Sequence, residues 1–409
     1  MTTTNPDIDS RRWTPDFDLG TGPVRITGMT DPAYYQREIE LLWKRTWHCI
    51  GKTHYIPERG DFFVKDLPFA NTSILVTRGK DGRIRAFHNV CAHRCNKLMW
   101  ENTGNSRLLR CRFHGWVYGL DGSVQVVTDE SNFFDLDKEN LGLRPVSADT
   151  MGDFILINLD PEPAETVREY FGDVYHTWDA LKDYYGVCTQ EYTWIGQFNC
   201  NWKILRDAFQ EIYHIATLHG SSAAPTFVGP DRPFPRAFDL RLPKYHGQFS
   251  VNGTANPQFR PLEALSFKLG GESTGRGGRA GGELPAELNW TDADPSHWYG
   301  DFHWMFPGFG IIAYTGFYVQ NNYWPVAHDK CIYESRLCMP KPTNVIERWT
   351  QENARIQLIA TLLEDVRTIE YTQDVINSGA HTHYQLQDAE IGVRHNHHWV
   401  QQFAGPYPA

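Results

Sequence analysis

The sequence has no long apolar run. Its longest, such as Phe154 to Leu159, fall far short of the roughly 20 residues that a membrane helix needs. The opening residues, MTTTNPDIDSRRWTPDFD, are polar and lack the apolar core of a secretory signal, so neither a membrane nor an exported location is expected. Positive charge is scarce too. Against 49 Asp and Glu stand 39 Lys and Arg, a net charge of −10 with no basic stripe, which argues against nucleic acid as a partner. The eight cysteines (49, 91, 95, 111, 188, 200, 331, 338) form no paired framework, and a reducing cytoplasm is the natural compartment. Internal repeats and coiled-coil heptads are absent. So is a nucleotide site: Gly275-x-Gly277-x-x-Ala280 imitates a dinucleotide fingerprint, but no apolar strand precedes it and Pro285 follows where a helix should run. The glycine-rich stretch 269–283 therefore reads as a loop, and any redox chemistry must draw its electrons from elsewhere.

What is present is concentrated between Cys91 and Trp116, CAHRCNKLMWENTGNSRLLRCRFHGW. Cys91-x-His93 is followed, after a 17-residue connection, by Cys111-x-x-His114. Two thiolates on one iron and two imidazoles on the other are what a [2Fe–2S] centre of raised potential requires. Zinc accepts the same ligand set, but normally in the order Cys-x-x-Cys then His-x-x-x-His, and it has no need of Gly115, Trp116 and Tyr118 behind the last ligand. From Cys-x-His-Arg through Cys-x-Phe-His-Gly-Trp-x-Tyr, the chain resembles the catalytic alpha subunits of the Rieske non-haem iron oxygenases, among them the ring-hydroxylating dioxygenases. One departure is Cys95, where the family usually has Gly. In high-potential Rieske proteins a disulfide links the two loops, but Phe113 occupies the second cysteine's place, so Cys95 reads as a small buried thiol.

At 409 residues the chain is long enough for more than one core. Pro32 to Trp47 spaces its apolar residues as an amphipathic helix. From Pro57 to about Leu159 the runs DFFVKDL, SILVTRG, IRAFHNV, LLRCRFHGW and FILINL read as strands separated by turn residues. After a boundary at Pro161 and Pro163, a helix is expected over Val167–Tyr185, a strand over Cys188–Phe198 and a helix from Trp202. Further strands are expected over Phe302–Tyr323 and Lys330–Met339, then a long helix to about Asn377. The fold class is α+β: an N-terminal segment, 1–45, packing with the catalytic domain; an all-β Rieske domain, 46–160; and a catalytic domain, 161–409, with an antiparallel sheet flanked by helices in the helix-grip manner. The histidines near the C-terminus, His381 to His398, supply no cysteine or well-spaced acid and read as ordinary.

The segment Asn201–His219, NWKILRDAFQEIYHIATLH, reads as a helix with Asp207, Glu211 and His214 beside Ile204 and Ile215 on one face. Buried carboxylates and imidazoles need compensation, which a divalent metal would provide. His214 and His219 are five apart and converge only if the helix ends or bulges between them; Gly220 favours an ending. Two histidines need one carboxylate to complete the facial triad of a non-haem Fe(II) oxygenase. Glu364, Asp365, Glu370 and Asp374 compete for that role. Asp365 borders the apolar stripe of its helix while Glu364 points the other way, and periodicity leaves Glu370 open.

The resemblance covers this segment as well, through Asn-Trp-Lys, acid-x-Tyr-His and a second His, and it favours Asp365 as the third iron ligand. It implies that Glu211 bridges the two metal centres by hydrogen bonds to a histidine of each, with Asp207 in reserve. Because the centres of one subunit are far apart in the family, a homotrimer follows in which each Rieske domain serves its neighbour's iron. The implied partners are a reductase fed by NAD(P)H, with or without a ferredoxin and a small beta subunit. The implied activity is hydroxylation of an aromatic or other hydrophobic ring using dioxygen. Oxidative N- or O-demethylation, for example of a quaternary ammonium compound, is the alternative. Phe209, Phe306, Tyr314 and Phe317 are the expected pocket residues.

Overall fold

The computed structural model describes residues 12–229, 233–254, 259–270, 285–288 and 298–409. Most of the glycine-rich stretch, including Gly275, Gly277 and Ala280, lies outside the described residues. The chain divides into two compact units, Ile39–Tyr170 and Met1–Glu38 with Phe171–Ala409. Among the described residues no helix is long and apolar enough to cross a membrane.

The unit Ile39–Tyr170 is β-rich. Seven strands pair in the order His48–Lys52, Phe154–Asn158, Pro145–Met151, Ile84–His88, Thr72–Arg78, Asp61–Leu67, Thr103–Asn105. A second sheet joins Leu109–Arg110, Val117–Tyr118 and Val124–Val126. One core runs through Phe62, Leu75, Phe87, Leu109, Trp116 and Tyr118, and it includes Cys91 and Cys111. The expected strand LLRCRFHGW is realised only at its start and just past its end. Between them Cys111 turns the chain: the Gly115 N–H donates to the Cys111 carbonyl at 3.0 Å, and Gly115 takes a φ of +79°, a conformation open to glycine without strain.

The other unit is built on a seven-stranded antiparallel sheet in the order Gln190–Phe198, Lys330–Met339, Phe317–Ala327, Phe309–Tyr314, Trp298–Met305, Gly247–Asn252, Ala237–Arg241. Alternation along these strands sends one row of aromatic and branched side chains to each face. The helix Val345–Ile376 begins at Asn344, whose side chain accepts the Glu347 N–H at 2.9 Å, and it contacts the edge strand Gln190–Phe198. The helix expected over Val167–Tyr185 is instead three short ones, Val167–Phe171, Asp173–Ala180 and Lys182–Tyr185, the first break falling at Gly172 with its φ of +51°.

Candidate metal centres

In the first unit, two loops of like design present Cys91 with His93 and Cys111 with His114. Each closes on itself, Cys95 N–H to Cys91 O and Gly115 N–H to Cys111 O, both at 3.0 Å. Cys95 and Gly115 both take left-handed backbone, with φ of 57° and 79°. This accounts for glycine as the usual family residue at position 95, and it corrects one expectation: Cys95 is exposed, because it caps a tight turn instead of entering the core.

Cys91 and Cys111 are buried, and the His93 and His114 rings meet edge to face with centroids 4.5 Å apart. Trp116 stacks on His93 at 5.0 Å. The Tyr118 hydroxyl lies 3.2 Å from Cys91 Sγ and accepts the Ala92 N–H at 2.9 Å. The aromatic residues behind the last ligand therefore hold the loops. Nδ1 of His93 and Nδ1 of His114 are buried with no hydrogen-bond partner among the described residues. Each such atom costs about 1–3 kcal/mol if nothing binds it. Burial pushes the Cys91 thiol up. At Cys111 burial acts the same way, but the N–H groups of Phe113 and His114 outweigh it and hold this thiol below its ordinary value. Neighbouring thiolates repel, so both ionise only with a cation between them.

In the second unit, Asn201 caps the helix Trp202–Asp207 by accepting the Lys203 N–H at 3.0 Å, and its amide donates to the carbonyls of Met29 and His328. Lys203 Nζ and Trp202 Nε1 both donate to the buried Glu38 carboxylate, at 2.5 and 2.9 Å. Asn-Trp-Lys is thus a cap followed by an anchor.

The single helix expected over Asn201–His219 is not formed. It stops at Asp207, and Glu211 folds back so that its carboxylate accepts the backbone N–H groups of Tyr213 and His214 and the Nδ1–H of His214. A side chain that binds its own main chain competes with the helical ladder. A short helix, Ile215–Leu218, then runs between the two histidines. Convergence comes from placing His214 and His219 at its two ends.

His219 Nε2 and His214 Nε2 approach Asp365 Oδ1 at 3.1 and 3.7 Å, and the three ligand atoms lie within 4.8 Å of one another. Asp365 Oδ1 is buried and has no hydrogen-bond partner among the described residues, so the 3.1 Å approach is a contact without hydrogen-bond geometry. On both histidines Nδ1 already serves a carboxylate: Glu211 for His214, and Glu364 Oε2 at 2.7 Å for His219. This network assigns the proton to Nδ1 and leaves the Nε2 lone pairs facing Asp365. Burial disfavours a charged His219, yet Asp365 and Glu364 together raise its pKa.

The other acids are accounted for. Glu370 takes the Asn199 backbone N–H at 2.9 Å, and Asp374 is exposed. Glu364 does not point away as its helix position suggested, because its longer side chain reaches round to His219. Asp207, the reserve candidate for the bridge, already has partners. It is buried, holding His397 Nε2 at 2.9 Å and Asn396 Nδ2 at 3.0 Å from the helix Ile391–Ala404.

His214, His219 and Asp365 line a cavity of ≈ 190 Å³. One wall is the sheet. Ile312 pairs with Val319, Tyr314 with Phe317 and Val319 with Leu337, and such cross-strand partners share a face. Another is the long helix, through Ala354, Leu358, Leu362 and Asp365 at helical spacing. Of the four residues named for a pocket, Phe209, Tyr314 and Phe317 line this cavity and Phe306 does not. The strand ends at Met305, and the Phe306 ring turns to pack on Phe403, with the Arg206 guanidinium 5.9 Å from its centroid. Sequence reasoning missed Tyr299 and Phe227, which extend an aromatic series: Phe227–Tyr299 at 4.5 Å, Tyr299–Tyr314 at 5.4 Å, Tyr314–Phe317 at 4.7 Å. Closeness to His219 was a usable signal for Phe227; Tyr299 carried none.

A β-rich unit with paired Cys/His loops, together with a sheet-and-helix unit holding two imidazoles and a carboxylate, defines the class of two-centre iron oxygenase chains. The match to known families agrees. The family described as ring hydroxylating alpha subunit (catalytic domain) matches residues 174–405, and the Rieske [2Fe-2S] domain matches residues 46–138. The chain belongs to the ring-hydroxylating alpha subunit family. It is 26% identical over 401 residues to the chloroplastic choline monooxygenase of Spinacia oleracea, covering 95% of this chain and 79% of that one. It spans about half the length of other curated relatives it matches. Among solved structures, a quaternary ammonium Rieske monooxygenase superposes with a TM-score of 0.74 at 18% identity, over 96% of this chain and 99% of that one. Naphthalene 1,2-dioxygenase from Rhodococcus sp. superposes with 0.68 at 20% identity, over 98% and 97%.

The family implies a Rieske [2Fe–2S] cluster and a mononuclear iron. The residues fit both groups. Two buried sulfurs and two unpartnered imidazole Nδ1 atoms suit the cluster, and two Nε2 lone pairs beside an unpartnered carboxylate oxygen suit the iron.

Proposed function

We propose that this chain is a terminal oxygenase component that hydroxylates an aromatic or other hydrophobic ring. When bound, the cluster supplies electrons one at a time and the mononuclear iron supplies dioxygen activation. Cys91, His93, Cys111 and His114 are the residues we assign to the cluster, and His214, His219 and Asp365 those for the iron. Glu211 holds His214 in the Nδ1–H tautomer, and we assign it the bridge to a neighbouring subunit's Rieske histidine. A homotrimer, a reductase with or without a ferredoxin, and a cytoplasmic setting for the free thiols complete the reading.

The observation that carries it is the meeting of two imidazole Nε2 atoms and an unpartnered Asp365 oxygen on a largely apolar, aromatic-walled cavity. Of the cavity's other charged residues, Glu211 is bonded to His214 and Arg260 and Glu263 are bonded to each other, so among the described residues no spare carboxylate is set against a cationic substrate. A second reading, oxidation next to a quaternary ammonium, is favoured by the Phe227, Tyr299, Tyr314 and Phe317 series, whose faces suit such a cation, and by the choline monooxygenase relative.

Supplying labelled dioxygen with naphthalene, biphenyl, indole, choline and carnitine distinguishes the two. Label in a ring alcohol supports the first reading, and loss of a methyl group or an oxidised choline the second. His214→Ala should abolish turnover while leaving the cluster's visible spectrum intact. Iron content should be about three per chain; undiminished turnover in the variant would sink the assignment.

A further inference from the structure

His219 has a carboxylate beside each ring nitrogen, from consecutive residues of one helical turn. Asp365 Oδ1 stands 3.1 Å from Nε2, and Glu364 Oε2 stands 2.7 Å from Nδ1. The same Glu364 oxygen accepts the Ser222 hydroxyl at 2.5 Å, and the Ser222 N–H donates to the His219 carbonyl at 3.0 Å. The turn that carries the histidine is therefore tied to the helix that carries Asp365. His214 has no such tie, since its Nδ1 partner, Glu211, lies three residues before it in its own loop.

We propose that Glu364, held by Ser222, is a positioning residue for metal binding. It fixes the His219 tautomer and ring plane so that Nε2 meets the metal, and it locks the loop Ile215–Ser222 to the helix Val345–Ile376. This inference rests on the reading of His214, His219 and Asp365 as metal ligands. The reasons are geometric. An imidazole at the end of a four-residue helix rotates about two bonds, and a carboxylate on Nδ1 removes that freedom while raising the donor strength of Nε2. The Glu364 side chain remains 28% exposed, so its carboxylate also has access to water and is not driven onto Nδ1 by burial alone. Ser222 occupies one lone pair of the accepting oxygen, which holds the carboxylate in place for the histidine.

The test is Co(II) binding to whole protein stripped of mononuclear metal but retaining its cluster. Binding is followed by equilibrium dialysis and by the Co(II) electron paramagnetic resonance signal with the cluster oxidised. Glu364→Leu should weaken binding by about 10- to 100-fold and alter the signal, as loss of such an outer partner does elsewhere. Glu364→Gln keeps an acceptor for Nδ1–H and should recover most of the affinity. Ser222→Ala, a milder change, should give a smaller loss in the same direction. Wild-type affinity and an unchanged signal in Glu364→Leu overturn the proposal, provided His219→Ala has lost binding. If His219→Ala also binds normally, the ligand assignment itself falls.

Discussion

Glu38 and Lys203 are both fully buried, and each depends on the other. Burial drives Glu38 up and Lys203 down, each toward its neutral form, so the mutual attraction does not repay the loss of water. Breaking one side leaves an uncompensated buried group, which costs about 3–5 kcal/mol. Glu38→Gln or Lys203→Met alone should therefore destabilise this unit strongly and lower its melting temperature by about 10 °C. The double variant removes both charges yet keeps an acceptor for the Trp202 N–H, now 2.9 Å from Glu38. Its cost should be well below the sum of the two, by about 2 kcal/mol or more. Urea unfolding followed by tryptophan fluorescence measures the cycle, with the cluster's visible absorbance reporting on the other unit. Additive losses would refute the account, because they would mean that Glu38 and Lys203 stabilise the fold separately.

Asp301 is buried, accepting from Trp298 Nε1 at 2.8 Å and Gln248 Nε2 at 3.2 Å, and burial pushes its pKa up to about 7. Between about pH 4 and 7 the folded chain holds a proton that the unfolded chain has released. Stability from this group therefore falls as pH rises through that window and levels off above it, by about 4 kcal/mol in all. Asp301→Asn should flatten this dependence and raise the urea midpoint at pH 8; an unchanged slope between pH 5 and 7 counts against it. Tyr118→Phe removes the hydroxyl beside Cys91 Sγ and should lower the cluster potential by roughly 50 mV, read by redox titration, since hydrogen bonds to sulfur favour the reduced state. Ala354→Phe, filling a cavity wall, should raise KM for bulky ring substrates by about tenfold while leaving Co(II) affinity unchanged.

The Cys/His pairs we assign to the cluster were legible because they are local. Cys91, His93, Cys111 and His114 sit in two short loops whose spacing and trailing aromatic residues carry the chemistry without reference to the rest of the chain. Lys330–Met339 and the long helix to Ile376 were legible for the same reason, since period and capping are properties of neighbours. The 201–219 segment misled because its apolar period is helical, while the bond from Glu211 to its own main chain, which stops the helix, leaves no trace in periodicity. Phe306 misled in the same way, having the composition of a pocket residue one position past the end of its strand.

Local pattern alone was enough to expect the candidate ligand types, a β-rich front and a mixed back, and the pairing of His214 with His219. Which of the four acids faces that pair emerged from the packing of segments distant in the chain. That choice depends on how a helix some 150 residues away rotates against the loop, and side-chain length lets Glu364 reach the far nitrogen of the same imidazole that Asp365 meets at the near one. A helix's rotation against its neighbour is fixed by packing over its whole length, so no local pattern encodes it.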